Sequence, residues 1–219
     1  MAARKINRFE FESALWGSNC LRVAGVDEAG RGPLAGPVVA AAVILPPTWL
    51  DSNLPKSLRG LNDSKQLTHE QREFFFTVLT QSPEIQFAVC SIDSTIIDAI
   101  NILQATHRAM NQALAQLTPP PGHVLVDGLH VKSIRFPQTA IVKGDARSYS
   151  IAAASVIAKV TRDRQAAEWH QQWPEYGFSA HKGYGTPQHL EAIRQYGPCP
   201  IHRRSFAPIR PQEKQPELI

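Results

Sequence analysis

The sequence predicts an α/β protein in which helices flank a mixed β-sheet. Short apolar runs alternate with segments of helical period, and the first two runs have no helical pattern between them. Hydrophobic residues make up 43% of the 219 residues and charged residues 19%, which excludes global disorder. We therefore expect a single domain over 21–210, with an N-terminal segment over 1–20 before it and a loose polar tail over 211–219 after it.

Five strands are predicted from apolar runs that end at turn signals. The runs 23–27 and 38–45 are expected to form an antiparallel hairpin, with 86–92 as a neighbour. Two shorter strands are expected at 124–127 and 139–142. The uncharged stretch from 32 to 50 has about the length of a membrane span, but its four prolines would break a helix, so we interpret it as a buried strand between turns.

Two helices are predicted between the second and fourth strands, one on each side of the third. Thr68 and Gln71 match a capping box, and an apolar face follows them. Apolar residues then recur at alternating spacings of four and three from Ile96 to Leu117, which is typical of an amphipathic helix. Three consecutive prolines at 119–121 end that helix.

Two further helices are predicted in the last third of the chain. The first covers 148–170, and its small residues at 152–155 permit close approach of another backbone. Pro187 begins the second and Gly197 ends it, as the end preferences of proline and glycine predict.

Charge and cysteine content restrict the partners and the compartment. The net charge is +4, but it is −2 over 1–129 and +7 over 130–210. The basic second half suggests a polyanionic partner, and an ordinary solvated surface is the alternative. The three cysteines, Cys20, Cys90 and Cys199, have no CxxC spacing, which argues against a disulfide scaffold or thiolate zinc site. The first residues lack an apolar signal core, so we expect a cytoplasmic protein.

Four acidic residues lie where predicted strands end or a helix begins. Asp27 and Glu28 end the first run, Asp127 ends the fourth, and Asp145 precedes the small-residue helix. Buried carboxylates need a partner, and an oxygen-only set favours Mg²⁺ or Mn²⁺. Two such ions ~3.5–4 Å apart could activate water and stabilise the leaving oxygen in phosphodiester hydrolysis. The alternative is that each acid is a helix cap or a turn residue.

Two observations complicate this interpretation. Adjacent side chains of a regular strand point to opposite faces, so Asp27 and Glu28 can share a metal only if the strand distorts or ends between them. The glycine-rich segment 30–36, with Asp51 beyond it, could also be a dinucleotide-binding fingerprint of an oxidoreductase. That fingerprint must open a helix, whereas 37–45 is predicted to be a strand.

Short motifs occur in order from about residue 22 to residue 206. They are VAGVDEAGRGPLAGPVVA (23–40), LNDSK (61–65), VDG (126–128), KGD (143–145), SIAAAS (150–155), AKVTRD (158–163), GYGT (183–186) and HRRSF (202–206). Together they resemble the signature of bacterial ribonuclease HII. The resemblance implies a ribonuclease H-like fold with a helical C-terminal extension. It also implies hydrolysis of the RNA strand of RNA–DNA hybrids and nicking 5′ of ribonucleotides embedded in duplex DNA.

The resemblance also assigns roles to residues. The family's metal-binding acids match Asp27, Glu28, Asp127 and Asp145. The turn Gly30, Arg31 and Gly32 matches the element that reads the ribose 2′-hydroxyl, and Tyr184 matches the tyrosine that packs on the sugar. Candidate phosphate contacts, which fit the basic second half, are Lys65, Lys143, Lys182, Arg203 and Arg204. Gln66 stands where many relatives carry a second lysine.

Other residues are assigned to packing, and two other functions stay open. We interpret Trp169 and Trp173 as packing residues rather than base-stacking ones, and Asp163 as a salt-bridge member between Arg162 and Arg164 rather than a fifth ligand. The alternatives to a ribonuclease are a non-catalytic nucleic-acid-binding module and a nuclease of similar fold that acts on branched DNA. We expect a monomer and no membrane association.

Overall fold

A mixed five-stranded sheet with the order β3-β2-β1-β4-β5 forms the centre of the protein. The structure is a computed structural model that describes residues 7–50 and 54–210. The strands are β1 (Val23–Ala29), β2 (Val38–Ile44), β3 (Gln86–Ile92), β4 (His123–Asp127) and β5 (Gln138–Ile141). The helices are α1 (Glu10–Gly17), α2 (His69–Gln81), α3 (Ser94–Ala115), α4 (Tyr149–Gln172), α5 (Phe178–His181) and α6 (Pro187–Tyr196). The predicted tail and Asp51 lie outside the described residues.

The pairing of β1 determines which chain segments meet at the edge of the sheet. β1 pairs antiparallel with β2 and parallel with β4, and β2 continues antiparallel to β3, which confirms the predicted hairpin and its neighbour. Because β1, β4 and β5 are parallel, their carboxyl ends lie at the same edge of the sheet. The segment after Gly36 is the strand β2, so the dinucleotide fingerprint is wrong: no helix begins there.

The core consists of two apolar layers, one on each face of the sheet. α4 and α2 pack on one face against Val39, Ala41 and Val43, and α3 packs on the other against side chains that include Ala40 and Ala42. β2 is buried at every position because both of its faces are covered. This explains why its sequence is uniformly apolar instead of alternating.

α4 lies unusually close to β1. A Cβ on Gly25 would come within 2.2 Å of the Ser150 carbonyl carbon, so only glycine fits there. The small residues Ala152–Ser155 are buried, as expected from the sequence. The predicted helix over 148–170 is confirmed, and it extends two residues further, to Gln172.

α2 and α3 follow the predicted pattern with one difference. The capping box of Thr68 and Gln71 is present in full at the start of α2. α3 is interrupted at Asn101, whose φ of 66° is not helical and whose side chain accepts a hydrogen bond from the Gln104 N–H. The apolar periodicity continues through this break, which is why the pattern predicts one uninterrupted helix.

α1 has no counterpart among the predicted elements. It packs on the core through Trp16, with Phe9 directly before the helix, and Phe9 lies against Tyr149 with ring centroids 4.7 Å apart. Its buried Glu12 accepts hydrogen bonds from the hydroxyls of Ser148 and Ser150 at 2.6 and 2.5 Å. The N-terminal segment is therefore joined to the first turn of α4.

The C-terminal part is helical, as expected. α5 and α6 pack around a third apolar cluster that contains Tyr176 and Phe178. Trp169 meets Phe178 edge-on at 6.3 Å, and Trp173 packs on the same cluster, which supports the packing interpretation of both tryptophans. Among the described residues, no helix combines the length and apolar character that crossing a membrane requires.

Candidate metal centre and substrate cleft

Three acidic residues from distant parts of the chain meet at the carboxyl edge of the sheet. Asp27 lies near the end of β1, Asp127 ends β4, and Asp145 lies in the short 3₁₀ turn Gly144–Ala146 before α4. Each offers a carboxylate oxygen within 4.8 Å of those of the other two. The convergence predicted from the sequence is therefore present for these three residues, which we call the acid triad.

Backbone N–H groups orient each carboxylate of the acid triad. Asp127 Oδ1 accepts a hydrogen bond from the Gly144 N–H at 2.7 Å, and Asp145 Oδ1 accepts one from the Ala146 N–H at 2.9 Å. Asp27 Oδ1 accepts the Glu28 N–H at 2.7 Å. The side chains are thus held in place by the polypeptide itself.

The acid triad carries unfavourable negative charge that a cation would compensate. Burial, with repulsion from Glu28 and Asp127, raises the pKa of Asp27 well above its ordinary value. Burial, together with Asp127 and Asp63, raises the pKa of Asp145 to about 6. Oxygen-only donors that are buried and mutually repulsive fit a hard divalent cation. The residues present therefore suit the divalent metal that the sequence predicts.

Glu28 lies beside the acid triad without belonging to it. β1 continues through both Asp27 and Glu28, so their side chains leave opposite faces of the strand, the difficulty already evident from the sequence. Glu28 Oε1 instead accepts a hydrogen bond from Arg31 Nη1 at 3.3 Å. Burial raises the pKa of Glu28, and Arg31 partly offsets this increase. Its role as a metal ligand stays a prediction.

A cleft of about 680 Å³ opens beside Asp27 and Glu28. Its other lining residues include several that were predicted to contact substrate: Gly30, Arg31, Gly32, Lys65 and Tyr184. The exposed fraction of Tyr184 is 45%, so its ring is available to a ligand. Burial alone would lower the pKa of Lys65, but Asp63 and the acid triad raise it overall, which keeps a positive charge at the cleft.

Several residues of the site were not predicted from the sequence. Ser155 lines the cleft and partly offsets the increase in the pKa of Asp27, and its hydroxyl lies 2.9 Å from Ser64 Oγ, so a residue assigned to helix packing also supports the site. Asp63 lies beside Asp145. Arg8 donates to the backbone carbonyl of Asp145 at 2.6 Å and to that of Leu61. No local pattern distinguishes Arg8, because its partners are far away in the chain.

The prediction that Arg203 contacts phosphate is wrong. The residue is fully buried, and its guanidinium donates to the backbone carbonyls of Gly30, Arg31 and Gly36. Arg204 is exposed, but it is not among the residues that line the cleft, and its backbone N–H donates to Asp98.

The remaining basic and acidic predictions have different outcomes. Lys143 is exposed and adopts a left-handed φ of 55° in the turn that presents the Gly144 N–H to Asp127. Its contact with phosphate stays a prediction. Asp163 is a salt-bridge member, as expected, but its partner is Lys159 at 2.7 Å rather than either neighbouring arginine.

Comparison with known proteins agrees with this architecture. The sequence model of the family "Ribonuclease HII" matches residues 24–209. Ribonuclease HII of Geobacillus kaustophilus is 52% identical over 209 residues, which cover 95% of this chain and 77% of the relative. Ribonuclease HII of Chlamydia trachomatis serovar A is 52% identical over 189 residues, 86% of this chain and 83% of the relative.

Solved structures show the same fold. The crystal structure of ribonuclease H2 from Pyrococcus horikoshii superposes with a TM-score of 0.69 at 33% identity, over 86% of this chain and 95% of that one. The family match extends over the residues that supply the acid triad and the cleft. The chain belongs to the ribonuclease HII family of metal-dependent, ribonuclease H-type endoribonucleases.

Proposed function

We propose that this protein nicks duplex DNA on the 5′ side of an embedded ribonucleotide and hydrolyses the RNA strand of RNA–DNA hybrids. One observation carries the proposal: Asp27 of the acid triad lines a cleft that is also lined by the turn Gly30–Arg31–Gly32 and by Tyr184. This proximity supports a hydrolytic centre that acts next to a sugar-reading turn.

The acid triad would hold the divalent ions, with Glu28 completing their surroundings, and Mg²⁺ or Mn²⁺ are the ions that suit these oxygen donors. When bound, a pair of such ions supplies activation of the attacking water and stabilisation of the leaving 3′ oxygen. The protein's part is to hold three carboxylates in fixed positions, through the N–H groups of Glu28, Gly144 and Ala146. Cleavage then leaves a 5′-phosphate and a 3′-hydroxyl.

Substrate selection would depend on the sugar. The backbone of the turn Gly30–Arg31–Gly32 contacts the ribose 2′-hydroxyl, which is the group that distinguishes RNA from DNA. Tyr184 packs on the same sugar, and its half-exposed ring is accessible for this contact. Lys65 lies in the cleft and neutralises a phosphate.

Further phosphate contacts would come from the basic second half of the chain. Lys143 lies next to the acid triad, and Arg204 is exposed further away. The net charge of +7 over 130–210 favours a polyanionic ligand. We further propose that the protein acts as a monomer in the cytoplasm, where its three free thiols would remain reduced.

A duplex with one embedded ribonucleotide tests the proposal. The wild type should nick 5′ of the ribose with Mg²⁺ or Mn²⁺, and Asp127→Asn should lower the rate at least about a hundredfold because a ligand of the acid triad is lost. Duplex binding should change little, since the substitution removes no phosphate contact. The exposed Glu84→Gln is the matched control and should keep the wild-type rate.

The same assay separates the alternatives. Binding by the wild type without a nick would favour the non-catalytic module. Cleavage that is indifferent to the 2′-hydroxyl would favour a branched-DNA nuclease of the same fold. An Asp127→Asn variant that cleaves at the wild-type rate would show that the acid triad is not the catalytic centre.

A further inference from the structure

We propose that Arg162 and Arg203 are positioning residues that hold the ribose-reading turn in its binding conformation from behind, without contacting the sugar. This inference rests on the proposed function and extends it to residues outside the metal centre. We call the two side chains the arginine pair. Both are fully buried, and both use their guanidinium groups on backbone carbonyls of the loop 30–37.

Arg203 organises the first part of this loop. Its Nη2 donates to the Gly30 carbonyl at 2.5 Å, its Nη1 donates to the Arg31 carbonyl at 2.9 Å, and its Nε donates to the Gly36 carbonyl at 2.9 Å. Its backbone N–H also donates to the Leu34 carbonyl at 2.8 Å. Four carbonyls of one loop therefore converge on a single residue.

Arg162 connects the end of the loop to the segment that carries Tyr184. It donates to the carbonyls of Ala35 at 2.9 Å and Pro37 at 3.0 Å, and a third hydrogen bond of 2.9 Å reaches the Lys182 carbonyl. One planar side chain thus sets the position of the loop relative to the residues just before Tyr184.

The backbone and a glycine strengthen this connection. The Leu34 N–H donates to the Gly183 carbonyl at 2.8 Å. Gly30 has a φ of 93°, and a Cβ at this position would lie 2.0 Å from Arg162 Nε. The turn and the arginine pair are therefore in direct contact, and any larger residue at Gly30 would displace one of them.

The orientation of two peptide planes explains how the arginine pair could influence sugar recognition. In a trans peptide, the carbonyl of one residue and the N–H of the next point in opposite directions. The carbonyls of Gly30 and Arg31 point at the buried Arg203, so the N–H groups of Arg31 and Gly32 point away from it. Neither N–H donates a hydrogen bond to another residue in the described parts of the chain. Both residues line the cleft, which makes these N–H groups suitable donors to a ribose 2′ oxygen.

A lysine could not replace either arginine. The guanidinium is a rigid planar fork with five donors, whereas a lysine ammonium is a single point of charge on a flexible stem. Neither arginine forms an ion pair with a described carboxylate. Arg162 also lies over the Trp169 ring at 5.7 Å and Arg203 over the Phe206 ring at 5.0 Å, but the side-chain hydrogen bonds of both arginines go to these carbonyls. An arginine-to-lysine substitution would therefore keep the charge and lose the geometry.

The test compares two duplexes that carry one 2′-hydroxyl or one 2′-fluoro nucleotide, since these sugars favour the same pucker and differ in hydrogen bonding. Arg203→Lys and Arg162→Lys should each lower kcat/KM for the ribonucleotide duplex about ten- to hundredfold, because the turn shifts by a fraction of an ångström or more. The preference for hydroxyl over fluoro should fall by a similar factor. For both variants, the Mg²⁺ concentration that gives half of the maximal rise in Tm should stay within about twofold of the wild-type value, because the acid triad is unchanged.

Arg164→Lys and Arg194→Lys are the matched controls, since both arginines are exposed and pair with nearby glutamates. They should keep the wild-type rate and preference. A lysine variant of the arginine pair that melts earlier but keeps its 2′-hydroxyl preference well below its melting temperature would overturn the inference. If one variant fails to fold, the other decides. If the wild type does not nick at the ribonucleotide, the proposed function itself is refuted. If the wild type nicks and the lysine variants keep the 2′-hydroxyl preference, only the inference about the arginine pair is refuted.

Discussion

Asp145 makes the metal-free protein sensitive to pH. Burial and the neighbouring Asp127 and Asp63 raise its pKa to about 6, above the value of 3.8 for an unperturbed aspartate. The pKa of Asp145 is higher in the folded state than in the unfolded state. Its contribution to stability is therefore fully present at pH values below the unfolded-state pKa and is lost as the pH rises through the folded-state pKa. Asp27 and Glu28, whose pKa values are also raised, act in the same direction.

We therefore predict that, in a chelator, the Tm of the wild type falls relative to that of Asp145→Asn as the pH rises from about 4 to about 7. Thermal melts of both proteins across this range measure the difference. Saturating Mg²⁺ at neutral pH should raise the Tm of the wild type and have little effect on the variant. A Tm difference that does not depend on pH would contradict the electrostatic interpretation of the acid triad.

Individual residues differ in how clearly the sequence reports their roles. A carboxylate at the end of an apolar strand has a local signal, so Asp27 and Asp127 could be predicted from the sequence alone. Arg203 has no such signal: a charged residue in a polar motif gives no indication that it is buried, and it was predicted to contact phosphate. The contacts of Arg8 and Arg203 depend on partners 137 and 173 residues away, which no short-range pattern reports.

At the scale of elements, the contact between β1 and α4 sets the position of Asp27. Gly25 lies two residues before Asp27, and the added Cβ of Gly25→Ala would meet the backbone of Ser150 and Ile151 at 2.2 and 2.3 Å. Because these are backbone atoms, the helix must move. We predict that Gly25→Ala lowers the free energy of unfolding by about 3 kcal/mol.

Urea unfolding measures this loss, and the nicking rate should fall as well because Ser155 and Asp27 separate. Gly17→Ala is the matched control: a Cβ there meets nothing within 4 Å, so its free energy of unfolding should stay within about 0.5 kcal/mol of the wild type. Equal stabilities for the two variants would show that the close packing is not needed.

Helix ends were predicted well where they depend on local chemistry. The capping box of Thr68 and the proline and glycine at the ends of α6 each act within a few residues. α1 and the break at Asn101 were missed for the opposite reason. α1 depends on packing against a distant helix, and the break leaves the apolar spacing of α3 unchanged.

For the whole molecule, Glu12 connects the N-terminal helix to the metal centre. Its carboxylate accepts from the hydroxyls of Ser148 and Ser150 and, at 3.1 Å, from the Ser150 N–H, at the positive end of the α4 dipole. Glu12→Gln keeps the size and removes the charge. We predict a loss of about 2 kcal/mol in the free energy of unfolding and a weaker response to Mg²⁺, since Asp145 lies three residues before Ser148.

Chemical denaturation with and without Mg²⁺ checks both effects. Glu10→Gln, on the same helix but exposed, should leave both unchanged. If the two variants behave alike, α1 is dispensable for the arrangement of the acids.

The distance along the chain between Gly30 and Arg203 has a consequence for biosynthesis. A growing polypeptide completes the acid triad at residue 145, but the guanidinium that would hold the sugar-reading turn is added only 58 residues after Asp145. A chain that terminates in this interval would contain its metal ligands and the sugar-reading turn but would lack Arg203, which holds that turn in position. On the proposal above, copies that terminate before Arg203 would be poor ribonucleotide-directed nucleases, so this activity would require translation to pass residue 203.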